Sequence, residues 1–256
     1  MNHPILRASV GKMWAKQISS HPSRLARGAL EDSLNTGEAL PTSKYGYAVT
    51  TNVYIDGFNL YYGALKNNPA GRWLDLEQMC AALLPAHTVK RIRYFTAKVK
   101  PQANNPDVDK RQDVYLRALR TLPTVTTHLG RYQETVTRMP STNPPPATVE
   151  VIKREEKGSD VNLATYLLAD AFRGDADTFV VITNDSDLKE PMRMVRAELH
   201  KKVGLINPHK RQSKALMGCK PTFVKQVRKS LILSSQFPET VTLSDGSQVT
   251  RPKGWN

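Results

Sequence analysis

The chain has 256 residues, of which 39% are hydrophobic and 23% charged, and this suits one sizeable soluble domain with appendages or two small domains. The formal net charge of +14 points to a polyanionic partner, a nucleic acid or an anionic membrane surface, although a basic protein kept soluble by its charge has the same composition. Two cysteines, Cys80 and Cys219, exclude a disulfide framework and a zinc ribbon, and no apolar run reaches the roughly 18–20 residues of a membrane span.

The first 48 residues differ from the rest because they are rich in Ser, Arg and Lys and show little sustained periodicity. They lack the apolar core of a secretory signal, and Glu31, Asp32 and Glu38 argue against a transit peptide. Val49 leads directly into the first strong strand, and valine can be encoded by an alternative bacterial start codon. We therefore predict that residues 1–48 are a disordered or upstream-translated extension of a bacterial protein that begins at Val49.

From Val49 onward, predicted strands and helices alternate. Residues 52–65 (NVYIDGFNLYYGAL) are typical of a strand, a Gly-containing turn and a helix start, and residues 75–85 of a helix that Asp75 caps and Pro85 ends. Strands are predicted at 90–99 and 124–132, with a helix at 109–123 between them. Residues 135–155 are typical of two polar strands joined by a Pro-rich tip, which together form an extended hairpin.

The second half continues the alternation. It contains a helix at 160–172, a strand at 179–183, a helix at 191–199, a strand at 202–207 and a helix at 222–236. This order favours an α/β fold with a mainly parallel sheet in residues 49–237. In the tail, residues 238–256, the Asp245–Gly246 turn indicates a small hairpin.

Acidic residues follow two strands of the predicted sheet. Asp56 ends the first strand, and Asp185 and Asp187 follow the strand at 179–183. Ligand sites of open parallel sheets lie beyond the carboxyl ends of the strands, so these carboxylates are expected to meet there. Asp160, at the start of a helix, and Asn59 are expected to join them. Each residue also has a plain alternative as a turn or helix-capping residue.

The joint placement of four acids favours a metal site. Carboxylates clustered at one sheet edge repel one another unless a cation neutralises them. An oxygen-only ligand set without His or Cys suits Mg²⁺ or Mn²⁺. We therefore predict a Mg²⁺ or Mn²⁺ site, with the metal held by the four carboxylates Asp56, Asp160, Asp185 and Asp187.

Three segments, VYIDGFNLYYG, EEKGSDVNLATYLLADAF and FVVITNDSDLKEPMRMV, resemble the signature segments of the NYN domain, a branch of the PIN-like nuclease superfamily. The resemblance covers residues 53–236 and keeps the order of the motifs. It implies a Rossmann-like three-layer α/β/α sandwich and a divalent-metal phosphodiesterase, most often a ribonuclease. Leu188 and Asn184 depart from the pattern, but no carboxylate is lost.

The resemblance also implies roles for the catalytic residues. Asp56, Asp160 and Asp185 would hold the metal directly or through its waters, and the metal would lower the pKa of a bound water. Asp187 would complete the coordination or orient the attacking water. Asn59 would hydrogen-bond a water or a phosphate oxygen.

Candidate substrate-binding residues are basic or aromatic. Residues 200–229 contain nine Lys and Arg and no acid, so they would follow a phosphate backbone if they border the acids; a solvated charged face is the alternative. Tyr61 could stack an unpaired base, and Lys157 could contact a phosphate or simply be solvated. The predicted substrate-binding set is Lys157, Tyr61, Lys201, Lys202, Lys210 and Arg211.

Three classes of function remain open at this point. A metal-dependent ribonuclease is favoured, with RNA as partner, a cytoplasmic location, no membrane association and a homodimer as one possible state. A non-catalytic RNA-binding or adaptor module is the alternative, although the intact acids argue against it. A nucleotide-binding or phosphatase-like enzyme fits least, because the sequence has no GxxxxGK[ST], GxGxxG or DxDx[TV] motif.

Overall fold

The computed structural model describes residues 49–101 and 105–255. The predictions for residues 1–48 therefore lie outside the described residues. The strands are β1 (Thr50–Asp56), β2 (Thr88–Ala97), β3 (Val125–Pro140), β4 (Thr148–Lys157), β5 (Thr178–Ile182), β6 (Lys202–Asn207), β7 (Phe223–Gln226), β8 (Thr240–Thr242) and β9 (Gln248–Thr250). The α-helices are α1 (Gly57–Leu60), α2 (Leu76–Leu83), α3 (Val108–Leu119), α4 (Ser159–Arg173), α5 (Lys189–Ala197), α6 (Lys214–Met217) and α7 (Lys229–Ser234). A π-helical turn, Tyr61–Leu65, continues α1, and short 3₁₀ turns cover Pro69–Gly71 and Ser186–Leu188.

Seven of the nine described strands form one sheet in the order β4-β3-β2-β1-β5-β6-β7. All neighbouring strands are parallel except β3 and β4. The chain runs outward from β1 in one direction through β2 and β3, and later continues on the other side of β1 through β5 and β6. The strand order therefore reverses between β1 and β5, and in such sheets the crevice at the carboxyl ends of these two strands is where ligands bind.

Helices cover both faces of the sheet because the central strands are apolar on both sides. In β1, Val53 and Ile55 face α2 and α3, whereas Tyr54 faces the other layer. The face of α4 that carries Leu163 and Leu167 packs in that second layer. The result is a three-layer α/β sandwich, which confirms the predicted fold class.

The polar hairpin is also confirmed. Strands β3 and β4 pair from Arg131 with Lys157 to Pro140 with Thr148, well beyond the end of β2. Most of its side chains are exposed. Near the carboxyl terminus, β8 and β9 form a separate two-stranded antiparallel sheet. No helix in residues 49–101 and 105–255 is long and apolar enough to cross a membrane.

The helix predicted at 222–236 is wrong in its first half, where the chain forms β7, and only α7 is helical. The apolar positions Phe223, Val227 and Leu231 have helical spacing, which is why the sequence favours a helix. In the fold, however, Phe223 pairs with Gly204 of β6, and the Phe223 ring occupies the space that a Gly204 side chain would need. Pairing with the open edge of β6 therefore overrides the local pattern.

Candidate functional site

Three of the predicted acids meet at the carboxyl edge of the sheet. Asp56 is the last residue of β1, Asp185 lies three residues beyond β5, and Asp160 is the second residue of α4. One carboxylate oxygen from each lies within 4.8 Å of the other two. The cluster sits at the β1–β5 switch point, where the topology places a ligand site.

Asp56 is held firmly in this cluster. Its carboxylate accepts hydrogen bonds from the Asn59 backbone N–H (2.9 Å), the Asn59 amide Nδ2 (2.8 Å) and the Thr183 hydroxyl (2.9 Å). Burial raises the pKa of Asp56 even so, because these bonds only partly replace the water that the charged form loses. The three donors fix the direction in which Asp56 presents its oxygens.

The loop after β5 positions the next two acids. The Asp185 backbone N–H donates to the Thr183 hydroxyl (3.0 Å), and the Asp187 backbone N–H donates to Asp185 Oδ1 (3.0 Å). Asp187 is exposed and is not part of the compact three-oxygen group found among the described residues. Its charge still contributes to the field at Asp160, so it lies beside the cluster, at the rim.

The pKa of Asp160 is raised by its position in the site. The helix start that presents it is fixed by Glu156, whose carboxylate accepts from the Ser159 backbone N–H (3.0 Å) and the Ser159 hydroxyl (2.7 Å). Partial burial, followed by repulsion from Asp56 and Asp185, raises the pKa of Asp160 to about 6. A cation among the three carboxylates would offset this repulsion, so the donor set fits a hard divalent ion.

Three supporting residues were not assigned to the site from the sequence. Thr183 is fully buried and links Asp56 to the Asp185 backbone, and Glu156 caps the helix that carries Asp160. The sequence signal for Thr183 is a hydroxyl residue between a buried strand and an acidic loop. Asn184, a departure from the family pattern, accepts from the Ser213 N–H (2.7 Å) and donates to the Arg211 carbonyl (3.1 Å).

Asn59 lies beside Asp56 as expected, but its amide group contacts the protein. Its Nδ2 donates to Asp56, and its Oδ1 accepts from the Asn184 backbone N–H (3.1 Å). The side chain thus joins the β1 end to the β5 end instead of pointing a free amide group at a substrate. We treat Asn59 as a positioning residue.

The basic residues divide between the two edges of the sheet. Lys210 and Arg211 follow the carboxyl end of β6 and lie at the acidic edge, where Asn184 anchors their loop. Lys201 and Lys202 stand at the amino end of β6, level with Thr178 at the start of β5. A strand of this length separates them from the acids by roughly 17 Å. The structure therefore does not bring Lys201 and Lys202 to the site.

The remaining predicted residues lie closer to the acids. Lys157 ends β4, two residues before α4, and its ammonium group pairs with Glu155 (3.2 Å). Tyr61 and Tyr62 begin the π-helical turn after α1 and contact each other edge to face at 5.4 Å. Both line a neighbouring cavity of about 420 Å³, whose wall includes Gly57, the residue after Asp56, and residues from β2 and the middle of β3.

Comparison with known proteins identifies the family. The model of the NYN domain matches residues 50–231, most of the chain. The chain belongs to the NYN domain family. NYN domains are part of the PIN-like nuclease superfamily, so the predicted resemblance is confirmed. The acids that this NYN domain brings together are the ones its signature segments contain.

Comparison with individual proteins says less about function than the family match does. It is 32% identical over 192 residues to the 6-hydroxy-3-succinoylpyridine 3-monooxygenase HspA of Pseudomonas putida (strain DSM 28022 / S16), a match that covers 64% of this chain and 61% of the relative. The chain thus spans about three fifths of that relative's length. A crystal structure of a protein of unknown function from Vibrio parahaemolyticus RIMD 2210633 has a TM-score of 0.45 and 17% identity, covering 71% of this chain and 94% of that chain.

Replacing Thr183 tests how the cluster is held together. We expect Thr183→Val to lower the free energy of unfolding by about 1–3 kcal/mol, because the buried Asp56 carboxylate loses a donor and the Asp185 N–H loses its acceptor. Urea denaturation of the variant would measure this. Thr165→Val, on the exposed surface of α4, is the matched control. A loss no larger than the control's would contradict the structural role given to Thr183.

Proposed function

We propose that this NYN domain is a divalent-metal-dependent ribonuclease of the cytoplasm. The observation that carries the proposal is the meeting of three carboxylates, from β1, α4 and the loop after β5, at the switch point of a parallel sheet. Membership of a nuclease superfamily supports phosphodiester hydrolysis as the reaction. The choice of RNA as the substrate rests on the resemblance to the family.

The site residues would bind the metal, orient the attacking water or position another residue. Asp56, Asp160 and Asp185 would hold Mg²⁺ or Mn²⁺, which when bound lowers the pKa of a water and offsets charge on the phosphate. Asp187, at the rim, would accept a hydrogen bond from the attacking water and orient it. Asn59 would keep the Asp56 carboxylate in place through the bonds already described.

Basic residues around the acids would hold the backbone of the substrate. Lys210 and Arg211 are exposed at the acidic edge, and Lys157 lies beside the start of α4. Each phosphate contact of this kind releases condensed counterions, so binding should weaken steeply as salt increases. Lys201 and Lys202, at the far edge, are left out of this surface.

The proposal is tested by incubating the purified protein with a mixed pool of single-stranded and structured RNA, with Mg²⁺, with Mn²⁺ or with EDTA. A pool of the same sequences in DNA would run beside it to test the sugar preference. Cleavage of RNA that requires the metal is the expected result. Salt-sensitive binding of RNA without cleavage in any metal would contradict it and favour the non-catalytic binding module.

A second candidate is an enzyme that acts on a small aromatic acid. The Pseudomonas putida relative is a 6-hydroxy-3-succinoylpyridine 3-monooxygenase, and the cavity beside Asp56 is lined with aromatic rings and cations. Oxygen uptake with 6-hydroxy-3-succinoylpyridine and an added reductant would test this candidate. Uptake that needs both compounds would support it, and no uptake above the protein-free rate would reject it.

A further inference from the structure

The cavity beside the acids combines two kinds of side chain. It encloses about 420 Å³, a size typical of small-molecule sites. Aromatic rings supply much of its wall, among them Phe58, Tyr61, Tyr62, Tyr94 and Tyr132. Its wall also includes Gly57, the residue after Asp56.

The charge of the wall is strongly unbalanced. Among the described residues, five Lys and Arg side chains line the cavity, against one carboxylate, Glu134. Glu134 is already paired with Arg154 (3.2 Å) and lies 3.9 Å from Lys100. Within the described residues, Lys66, Arg72 and Arg111 form no salt bridge, so three cations remain for an anion that enters the cavity. Two of them, Lys66 and Arg72, lie beside the tyrosine rings.

These two cations are organised around the aromatic rings. The Arg72 guanidinium donates to the carbonyl oxygens of Leu65 (3.2 Å) and Lys66 (2.5 Å) and lies 5.7 Å from the centre of the Tyr61 ring. The Lys66 ammonium lies 5.1 Å from the centre of the Tyr62 ring. A flat ligand stacked against either ring would therefore lie close to positive charge.

Other residues of the same cavity add rings and a hydroxyl group. Phe58 and Tyr132 contact edge to face at 5.9 Å, which brings together residues from α1 and β3. Burial raises the pKa of Tyr94 to about 12, so its hydroxyl remains a neutral hydrogen-bond donor at physiological pH. An apolar slot with cations and a donor at its edge suits a ring that carries a negative charge.

We propose that this cavity binds a planar aromatic ring bearing an anionic group. Two sources share this chemistry: one nucleotide of an RNA strand, and a free aromatic carboxylic acid. The ring would stack against Tyr61 or Tyr62, and the anion would pair with Lys66 and Arg72. The inference concerns binding alone and does not rest on the proposed hydrolysis.

Calorimetric titration in EDTA tests the proposal without any metal or turnover. The probes are uridine 5′-monophosphate and 6-hydroxynicotinate, with uridine, inorganic phosphate and cyclohexanecarboxylate as controls that lack the charge or the aromatic ring. At least one of the two probes should bind at least about tenfold more tightly than its controls. Equal binding of probes and controls, or no binding of either probe at millimolar concentration, would overturn the proposal.

Substitutions at two exposed positions test whether the probe binds in this cavity. Tyr62 is 56% exposed, and Lys66 is exposed as well, so Tyr62→Leu and Lys66→Gln should fold normally. Loss of a stacking ring is expected to weaken binding by about 5- to 100-fold. Phe172→Leu and Lys90→Gln, exposed elsewhere, are the matched controls and should bind as the wild type does. Unchanged affinity in both cavity variants would overturn the assignment to this cavity.

The same titration distinguishes the two sources. If a short single-stranded RNA competes with the bound probe, and Tyr62→Leu weakens the RNA as much as the probe, the natural ligand is a nucleotide. If the acid binds and RNA does not displace it, the ligand is a free aromatic acid. Asp185→Asn, tested in parallel, should bind the probes normally even if it cleaves nothing, which separates failure of this inference from failure of the proposed function.

Discussion

We expect the Asp185→Asn variant to cleave RNA about 100- to 1000-fold more slowly than the wild-type protein under saturating Mg²⁺ or Mn²⁺. The substitution keeps the shape of the side chain and its Oδ1 as acceptor for the Asp187 N–H. It removes one of three negative charges that would hold the metal. A loss of several kcal/mol of charge stabilisation in the transition state corresponds to this slowing of about 100- to 1000-fold, because each factor of ten in rate is worth about 1.4 kcal/mol.

The control for this variant is Glu190→Gln, a charge-neutralising change five residues away on α5. Glu190 is exposed and pairs with Arg193 (2.6 Å), an interaction worth little at the surface. Single-turnover cleavage of an end-labelled RNA would compare the two variants, with circular dichroism to show that both are folded. Asp185→Asn retaining more than about a third of the wild-type rate would exclude Asp185 from the chemistry.

A divalent metal should stabilise the protein more at pH 7.5 than at pH 5. The pKa of Asp160 is raised to about 6 and that of Asp56 is raised as well, so at pH 5 the folded protein holds protons that a metal must displace. Above about pH 6 the Asp160 carboxylate is free to bind. At a metal concentration 100 times Kd, the stabilisation is about 2.7 kcal/mol. Thermal denaturation at both pH values would measure it as a shift of about 5–10 °C at pH 7.5.

The sign of the metal-free pH dependence follows from the same pKa shift. Because Asp160 binds its proton more tightly in the folded state, its contribution lowers the free energy of unfolding as pH rises from about 4 to about 6. Carboxyls with lowered pKa, such as Asp170, contribute in the opposite sense, so the difference in unfolding free energy between wild type and Asp160→Asn isolates the contribution of Asp160. Asp160→Asn should gain stability relative to wild type across this window. A constant difference would contradict the raised pKa.

The sequence predicted the features that depend on local patterns. The apolar runs of β1 and β5, each followed by an acid, were sufficient to place Asp56 and Asp185 at one edge of a parallel sheet, because parallel strands share their carboxyl ends. The three-layer fold and the polar hairpin follow from the alternation of strands and helices and from the Pro-rich tip. The structure agrees with these predictions because burial and local pattern favour the same elements.

Features that depend on pairing between distant segments could not be predicted from the sequence. The strand β7 has the apolar spacing of a helix, and only the open edge of β6 with Gly204 makes it a strand. Lys202 and Lys210 belong to one basic run, yet β6 carries the chain from one edge of the sheet to the other between them. Proximity along the sequence therefore did not imply proximity in the fold.

The wall of the cavity and the role of Thr183 could not be predicted from the sequence for the same reason. The rings and cations of the cavity come from segments as far apart as Tyr61 and Arg154, and no pattern along the chain connects them. Thr183 looks like the last residue of a strand, and its bond to Asp56 depends on β1 and β5 being neighbours. Both features are consequences of sheet order.

The metal site itself is tested most directly by an anomalous difference map of crystals soaked in Mn²⁺ above pH 7. We expect a peak among Asp56, Asp160 and Asp185, about 2.0–2.3 Å from the nearest carboxylate oxygens that coordinate directly. The peak should be lost or much weaker in crystals of Asp185→Asn. A wild-type map with no Mn²⁺ peak at these three carboxylates, in crystals that diffract well enough to show one, would contradict the proposed metal site.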